Sequence, residues 1–178
     1  MIGFEGRHVI VLPGVSRLLT LCEVEIYGYL SPTGKNVALL GKATQSSLLD
    51  HSAYNAIDGN RDSDVTHGSC SHTAQELNPW WRLDLFNTYK VFSITITNIK
   101  DPIYSVRLNG AEIRIGNVLH VDNGNSNPRC AVISSIPAGL SSTFQCNGME
   151  GRYINVVIPG RKEYLTLCEV EVNGSPLE

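Results

Sequence analysis

The chain has 178 residues, of which 17% are charged, and its formal net charge is −3 at pH 7. This length suits one well-buried domain with an appendage, and the weak charge without a run of Lys or Arg argues against a nucleic-acid partner. The apolar stretches are shorter than the roughly 18 residues of a membrane span, and residues 1–5 lack a signal-peptide pattern, so we expect neither feature within this chain.

An internal repeat joins the two ends of the sequence. Most of residues 6–25 recurs at residues 151–171, and both copies contain Leu-Thr-Leu-Cys-Glu-Val-Glu. The cysteines of the two copies, Cys22 and Cys168, lie 146 residues apart, which matches one whole domain. The first occurrence therefore indicates the end of a preceding copy that lacks a body of its own.

The repeat and a Pro- and Gly-containing segment together set the expected domain boundaries. We predict truncated C-terminal strands of a preceding repeat at residues 1–30, a linker at 31–35, the complete domain at 36–174 and a tail at 175–178. The truncated copy would pack on the complete domain or pair with another chain. In the second case Cys22 would be placed to bridge two protomers, so a homo-oligomer through this segment is possible on the sequence.

The complete domain begins with a weak strand that gives way to a polar loop over residues 37–47. After it, Ser52 is expected to cap one helical turn that ends near Ile57, because serine oxygens accept hydrogen bonds from the amides of a first helical turn. Nothing longer in the sequence has helical periodicity.

An oxygen-rich segment follows over residues 55–72, where Asn55, Asp58 and Asn60 fall within six residues and Ser69 comes near the end. A folded loop of this kind would aim several carboxylate and carbonyl oxygens at one point, and Ca²⁺ takes ~6–8 oxygen ligands in a tolerant geometry. The same residue types are common in plain surface turns, and their spacing differs from that of an EF-hand loop. On spacing alone both interpretations stay open.

Short strands fill the rest of the sequence. Alternation of apolar and polar residues is clearest at 91–97, where Phe92, Ile94 and Ile96 are expected to be buried and Thr97 to lie outside. Of the adjacent Trp80 and Trp81, one should enter the core and the other cover an edge. Further strands are predicted at residues 80–85, 111–116, 131–133, 142–145, 153–158 and 165–172. Strands separated by Gly, Pro and Asn turns indicate an all-β fold, an antiparallel sandwich or barrel.

Five cysteines stand singly in the sequence, without the paired spacing of a zinc site. Cys130 and Cys146 flank a hairpin-like segment, so Cys130–Cys146 and Cys70–Cys168 make a plausible pair of disulfides, which implies an oxidising compartment. A Cys70–Cys168 bridge would bring Glu169 to the oxygen-rich loop. The alternative is a set of reduced thiols that act as small core residues.

Several of these motifs together resemble the F-type lectins, the fucose-binding lectins typified by eel agglutinin. The resemblance covers about residues 36–174, and residues 5–28 resemble the last strands of a second copy, as in tandem members from fish. The matching motifs lie at residues 36–38, 41–47, 55–62, 67–70, 78–81, 110–113 and 167–171.

The resemblance implies a jelly-roll-like, discoidin-type β-sandwich, an extracellular location and a structural Ca²⁺. In the family pattern, main-chain and side-chain oxygens hold the ion together with the main-chain oxygen of a cysteine and a glutamate carboxylate. The positions that match these ligands are Asn55, Asp58, Asn60, Ser69, Cys168 and Glu169.

The resemblance also implies a shallow sugar pocket for fucosylated or related glycans, in which His72 and Asp101 match the family residues. The family's first arginine position holds Ile99, with Lys100 beside it, and the final arginine is Arg107, one residue later than usual. In place of the family's adjacent cysteines stands the segment 102–104, in which Tyr104 and Ile103 are alternative candidates for packing on an apolar face of the sugar. His72, Lys100 and Arg107 are the expected polar contacts.

Three functional classes follow from these observations. A calcium-containing lectin is favoured by the motifs, while a structural or adhesion module that keeps the fold and the Ca²⁺ is the alternative, because Ile99 is unable to donate a hydrogen bond. An enzyme is disfavoured, since the sequence contains no Gly-x-Ser-x-Gly, no His-Glu-x-x-His and no Gly-rich phosphate loop.

Overall fold

The computed structural model of the chain describes residues 36–177, together with Val11, residues 19–22 and Val24. The chain divides into two units, Met1–Gly34 and Lys35–Glu178, and the architecture given below is that of the second unit. The predicted remnant at 1–30 and the linker at 31–35 lie almost wholly outside the described residues, so the predicted domain organisation stays a prediction.

Residues 36–177 form ten strands and five short helical segments. The helical segments are α1 (Pro102–Ser105) and the 3-10 turns Val37–Leu40, Ala53–Ala56, Val65–His67 and Val106–Leu108. The strands are β1 (Lys42–Gln45), β2 (Ser71–His72), β3 (Glu76–Leu77), β4 (Trp80–Thr97), β5 (Glu112–Gly116), β6 (Arg129–Val132), β7 (Ser141–Val157), β8 (Lys162–Glu163), β9 (Thr166–Leu167) and β10 (Glu169–Pro176). None of the helices among the described residues has the length and apolar character that a bilayer crossing requires.

The sandwich is organised around β4 and β7, which pair antiparallel along most of their length. The first part of β4 also pairs with β1, and its second part pairs with β10. On the far side of β7, β5 and then β6 extend the sheet. The short ladders β2·β9 and β3·β8 lie apart from it. This arrangement confirms the predicted all-β, antiparallel sandwich.

One apolar cluster contains side chains from both parts of β4. Leu83 in the first part and Ile96 in the second part are both fully buried. Trp81 is also fully buried and donates its indole N–H to Ala53 O at 3.0 Å. Trp80 is only half-buried, and the guanidinium of Arg82 lies 4.9 Å from its ring centroid. One tryptophan therefore enters the core and the other covers it, as the sequence predicts.

Two pairs of predicted strands are in fact continuous. The strands expected at 80–85 and 91–97 are both parts of β4, because the irregular residues near Phe86 (φ 65°) form a bulge and not a turn. The strands expected at 142–145 and 153–158 likewise merge into β7 through Asn147 and Gly148, both with positive φ. Asn-Gly usually marks a tight turn, and here it is accommodated within the strand.

A second bulge in β4, between Val91 and Ser93, changes which side chains face the core. A register shift between Val91 and Ser93 turns Val91 into the main apolar cluster, whereas Phe92, although buried, is not part of that cluster. Thr97 is buried and not outside, and its hydroxyl shares a hydrogen bond with that of Ser141 at 2.7 Å. Phe92 is therefore buried as predicted but lies outside the main cluster, because a bulge shifts the period by one residue, whereas the prediction that Thr97 lies outside was wrong.

At the beginning of the domain, the order of elements is the reverse of the expected one. The apolar start forms the 3-10 turn Val37–Leu40, which Asn36 caps by accepting a hydrogen bond from the Ala38 amide at 3.1 Å. The strand lies in the segment predicted as a polar loop and pairs with β4 through Lys42–Gln45. Ser52 does cap the next turn, Ala53–Ala56, by accepting from the Tyr54 amide.

Candidate functional site

A disulfide between Cys70 and Cys168 lies at the centre of the candidate site, and Cys130 is bonded to Cys146 elsewhere. The Cys70–Cys168 bridge is fully buried and closes a sequence separation of 98 residues. Val65 and Ile99 pack directly against it. Two groups of residues therefore meet at the bridge. One group lies close to the two cysteines in the sequence, and the other consists of side chains that pack against the bridge.

The first group includes residues next to the two cysteines and part of the loop that precedes Cys70. We call this set the cation cradle, and it consists of Asn55, Asp58, Asn60, Ser69, Cys168 and Glu169. Its loop is closed by its own polar groups. The Asn60 amide donates to Asp58 Oδ1 at 2.8 Å, and Asn55 Nδ2 donates to Gly68 O at 2.5 Å. Gly59 allows the sharp turn between them because it has a φ of 82°, which disfavours a residue with a side chain.

Glu169 is the buried acid of the cradle, with an exposed fraction of 0%. Its Oε1 accepts from the Gly59 amide at 3.2 Å, while its Oε2 is buried without any hydrogen-bond partner in the described chain. Burial, together with the negative charges of Asp58 and Glu171, raises the pKa of Glu169 to about 8. An unpartnered buried carboxylate oxygen beside a second carboxylate is a chemical environment that a divalent cation fits.

The other cradle residues have their side chains engaged within the loop. Asn60 Oδ1 accepts from the Asp62 amide at 3.0 Å, and Ser69 Oγ donates to Asp64 O at 2.9 Å. In Asn60 and Ser69 the main-chain oxygens are therefore the atoms left for a ligand. Among the residues that the structure describes, no group of three or more His, Cys, Asp or Glu side chains has metal-binding geometry. The amide, carbonyl and carboxylate oxygens of the cradle are the ligand types that a hard cation prefers.

The packing neighbours of the bridge line a cavity of about 290 Å³, which we call the pocket. Its aliphatic wall consists of Leu49, Val65 and Ile99, and the remaining lining residues are His72, Tyr104, Arg107, Tyr164 and Thr166. A mostly apolar concave surface with a few convergent polar groups is the usual form of a small-ligand site.

His72 contributes the imidazole of the pocket from β2. Its Nδ1 lies 3.2 Å from Asp50 Oδ1, without the alignment of a hydrogen bond, and its Nε2 is buried with no partner among the described residues. The Tyr164 ring lies at 5.6 Å between centroids. Burial holds the pKa of His72 below its ordinary value, against the opposing effect of Asp50, so the neutral imidazole is favoured.

Arg107 provides the cation of the pocket and lies between two aromatic rings. Its guanidinium carbon is 4.3 Å from the Tyr104 centroid and 4.6 Å from the Tyr164 centroid. Its Nε lies 3.5 Å from Glu163 Oε1. The two rings restrict the plane of the guanidinium, so its donors are held in nearly fixed directions.

Two predicted sugar contacts, Lys100 and Asp101, are not among the residues that line the pocket. The ammonium of Lys100 pairs with Asp64, and Asp101 caps α1 by accepting from the Ile103 amide at 2.8 Å. Both residues belong to the loop that positions Arg107. Tyr104, His72 and Arg107, the other predicted contacts, do come together in the pocket.

The loop from 99 to 107 is fastened by Asn98, which is fully buried at the end of β4. Its Nδ2 donates to Ser105 O at 2.9 Å and to Ile136 O at 2.8 Å. At the other end, Leu108 enters the main core. The residues between these two anchors carry three of the pocket side chains, those of Ile99, Tyr104 and Arg107.

Sequence reasoning missed Leu49, Val65, Tyr164 and Thr166 as lining residues. For Thr166 there was a usable signal, because it lies two positions before Cys168 in a strand-like motif and so shares a face with it. Leu49 and Val65 come from irregular segments, where alternation gives no guide to direction.

Comparisons with known proteins identify relatives of this chain. Residues 55–156 match a family described as the NedA-like, galactose-binding domain. Fucolectin-5 of Anguilla japonica is 52% identical over 150 residues, which are 80% of this chain and 77% of that protein. Fucolectin-4 of the same species is 52% identical over 180 residues, which cover 96% and 97% of the two chains.

Among solved structures, an F-lectin (fucolectin) from the serum of striped bass, Morone saxatilis, superimposes with a TM-score of 0.81 at 62% identity. The match covers 94% of this chain but 56% of that one. The chain thus spans little more than half the length of this structural relative.

Proposed function

Because this chain belongs to the F-type lectin (fucolectin) family, we propose that it is a calcium-containing lectin that binds fucosylated or related glycans. The observation that carries the proposal is the pocket, where the imidazole of His72 and the stacked guanidinium of Arg107 line a common cavity. The chain is a binding module and not an enzyme, in keeping with relatives that are lectins.

The chemistry of the pocket suits a deoxy sugar. Fucose presents hydroxyl groups on one edge and a methyl group elsewhere, so it needs directional donors and an apolar surface at the same time. Arg107 supplies the planar donors, and the side chains of Val65 and Ile99 supply the apolar surface. The Tyr104 ring, with 42% of the residue exposed at the rim, offers a face on which a sugar ring stacks.

We further propose that the cation cradle holds Ca²⁺, with Asn55, Asp58, Asn60, Ser69, Cys168 and Glu169 as its ligands. The orphaned Glu169 Oε2 supports this assignment, since a cation would satisfy it. A bound ion would fix the loop that precedes Cys70, and thereby the position of His72 two residues after the bridge.

An extracellular location accompanies this proposal. Two disulfides indicate folding in an oxidising compartment, and the striped bass relative comes from serum. A homo-oligomer through residues 1–30 or Cys22 stays a prediction; Cys22 is a free, exposed thiol.

The proposal is tested by calorimetric titration of the full chain with methyl α-L-fucoside in the presence of Ca²⁺. Arg107→Ala should weaken binding at least tenfold, because it removes the charged donor. Arg82→Ala is the matched control, since Arg82 also stacks on two aromatic rings, at 4.9 and 6.0 Å, but lies outside the pocket. Absence of binding by the folded, calcium-loaded wild type on a panel of fucosylated glycans would contradict the proposal.

A structural or adhesion module with an inactive pocket is the second candidate, and Ile99 favours it. This residue stands where the family pattern has an arginine, and it is 4% exposed against the disulfide. If the wild type fails to bind while the double variant Ile99→Arg, Lys100→Gly gains fucoside binding, the second candidate is supported.

A further inference from the structure

The backbone carbonyl of Arg107 has a partner from a distant part of the chain. Arg107 lies in the middle of the 3-10 turn Val106–Leu108. The carbonyls before and after it accept from backbone amides, at 3.0 Å in both cases. The carbonyl of Arg107 instead accepts from the guanidinium of Arg161. A charged side chain therefore satisfies a carbonyl that the turn itself leaves free.

Arg161 begins a segment of four residues that contacts Arg107 at three places. Besides the bond to the carbonyl, Glu163 Oε1 lies 3.5 Å from Arg107 Nε. The Tyr164 ring centroid lies 4.6 Å from the guanidinium carbon. The segment 161–164 thus acts on the backbone, the Nε and the planar head of one pocket residue.

The segment 161–164 is itself fastened to the turn before β4. Its strand β8 pairs with β3. The Asn78 amide donates to Arg161 O at 3.1 Å, and Asn78 Oδ1 accepts from the Gly160 amide at 2.6 Å. Asn78 has a φ of 55°, in the left-handed region that asparagine tolerates. Arg161 therefore reaches the pocket loop from a fixed base.

The internal repeat differs between its two copies at this segment. Residues 13–25 and 159–171 share Pro-Gly at the start and Leu-Thr-Leu-Cys-Glu-Val-Glu at the end. All four positions in between differ, with Arg-Lys-Glu-Tyr at 161–164 and Val-Ser-Arg-Leu at 15–18. The cysteine motif is thus the same in both copies, whereas the residues that contact Arg107 belong to one copy alone.

We propose that Arg161 is a positioning residue of the pocket, which holds the backbone of Arg107 so that its guanidinium stays between the two tyrosine rings. This inference rests on the proposed function and deepens it, because Arg161 is not among the residues that line the pocket. Without the bond, the turn loses the contact that fixes its middle carbonyl, and the donors of Arg107 no longer point in set directions. The ligand then has to order them, which lowers its affinity.

The first test measures the affinity of the full chain for methyl α-L-fucoside by calorimetry, with Ca²⁺ present. Arg161→Met keeps a long apolar stem but removes the donors, so affinity should fall about three- to tenfold. Arg161→Lys should recover part of the loss, since a single carbonyl needs only one donor. Lys162→Met is the matched control, because it removes a cation from the adjacent position, which is exposed and outside the pocket lining.

A thermodynamic cycle with Arg107→Ala separates positioning from a general structural role. In the Arg107→Ala background, Arg161→Met should weaken fucoside binding by less than about 1.5-fold, because no guanidinium is left to position. Equal losses in the two backgrounds would overturn the inference. Thermal unfolding checks that each variant is folded, and Arg161→Lys takes the place of Arg161→Met in the cycle if the methionine variant does not fold.

A second readout needs no sugar. The Nε–Hε signal of Arg107 in nuclear magnetic resonance spectra, assigned by its absence from Arg107→Ala, should be displaced by the two flanking rings. It should move towards the ordinary arginine position in Arg161→Met. An unchanged signal together with unchanged fucoside affinity overturns the inference and leaves the proposed function intact. A signal that moves, in a protein whose wild type binds no fucoside, overturns the proposed function and supports the positioning of Arg107 by Arg161.

Discussion

The cation cradle and the pocket lie on two sides of the same disulfide, and they differ in how their polar groups are satisfied. In the cradle, loop amides and side chains bond to one another, and Glu169 Oε2 is the buried side-chain atom left over. In the pocket, His72 and Thr166 both keep buried atoms without partners. The polar groups of the first site are nearly all bonded within the loop, whereas the second site keeps several buried polar atoms without a partner in the described chain.

The largest expected effect comes from breaking the bridge that the two sites share. Cys70→Ala/Cys168→Ala should lower the free energy of unfolding by about 4–5 kcal/mol, and Cys130→Ala/Cys146→Ala by about 3 kcal/mol, because the first bridge closes the longer loop. The two sequence separations are 98 and 16 residues. Urea denaturation of both variants measures the difference. Equal losses would show that the shared bridge has no special weight, and Ca²⁺ and fucoside binding should weaken together only in the first variant.

The next effect should break the cradle alone. Saturating Ca²⁺ at about one hundred times its dissociation constant should stabilise the wild type by about 2–3 kcal/mol, or roughly 5–10 °C in the melting temperature. Glu169→Gln should abolish most of this shift. Glu171→Gln on the same strand is the control, since Glu171 pairs with Arg61 at the surface. A calcium-induced shift that survives in Glu169→Gln would refute the assignment of the ligands.

Within the pocket, the two tyrosines should have unequal effects. Among the described residues, the Tyr164 ring contacts both His72 and Arg107, whereas the Tyr104 ring contacts only Arg107 and is more exposed. We expect Tyr164→Ala to weaken fucoside binding by about 1–1.5 kcal/mol, which is close to tenfold. Tyr104→Ala should weaken it by only a few tenths of a kcal/mol. Calorimetry on both variants decides. A larger loss from Tyr104→Ala would mean that stacking at the rim, and not the orientation of Arg107, dominates binding.

The smallest effect is the pH dependence of stability that His72 contributes. Its pKa is lowered in the folded state by burial, so the unfolded chain takes up a proton first as the pH falls. His72 therefore causes no loss in the free energy of unfolding above pH 6.5, the ordinary pKa of histidine. The free energy of unfolding decreases as the pH falls from 6.5 through the folded-state pKa of His72. Asp50, His51 and Arg107 face the ring and are charged or titratable themselves.

His72→Gln should reduce this slope between pH 5 and 7.5 in urea denaturation, and His120→Gln, at an exposed position, serves as the control. His67 contributes with the opposite sign, because its neighbour Asp62 raises its pKa, and that contribution is common to wild type and both variants. An unchanged slope in His72→Gln would exclude the neutral, buried imidazole described above.

The proximity of the cradle residues was easier to predict from the sequence than that of the pocket residues, for a physical reason. Asn55 to Asn60 are close in the chain, and Cys168 is covalently next to Glu169, so one disulfide is enough to bring the parts together. The pocket instead draws its walls from segments near residues 49, 65, 99–107 and 164–166, and their convergence depends on the whole topology. His72, Tyr104 and Arg107 were predicted there from the family resemblance and not from local sequence patterns.

The fold class followed from strand periodicity and turn residues, whereas the bulges did not. Asn147-Gly148 and the residues around Phe86 have turn chemistry, and nothing local shows that long-range pairing between β4 and β7 absorbs them. The side on which Val91 and Phe92 lie depends on the same bulge. Positions next to a tolerated irregularity are thus where alternation fails.

The fastening of residues 99–107 by Asn98 at one end and Leu108 at the other has a consequence for how new binding preferences arise. Asn98 holds two backbone carbonyls, and Leu108 is secured by packing, so neither anchor depends on which side chains lie between them. The side chains between the two anchors can therefore be exchanged while the strands that hold the loop keep their structure. Randomising its exposed positions should yield a library of folded variants that differ in the ligands they select.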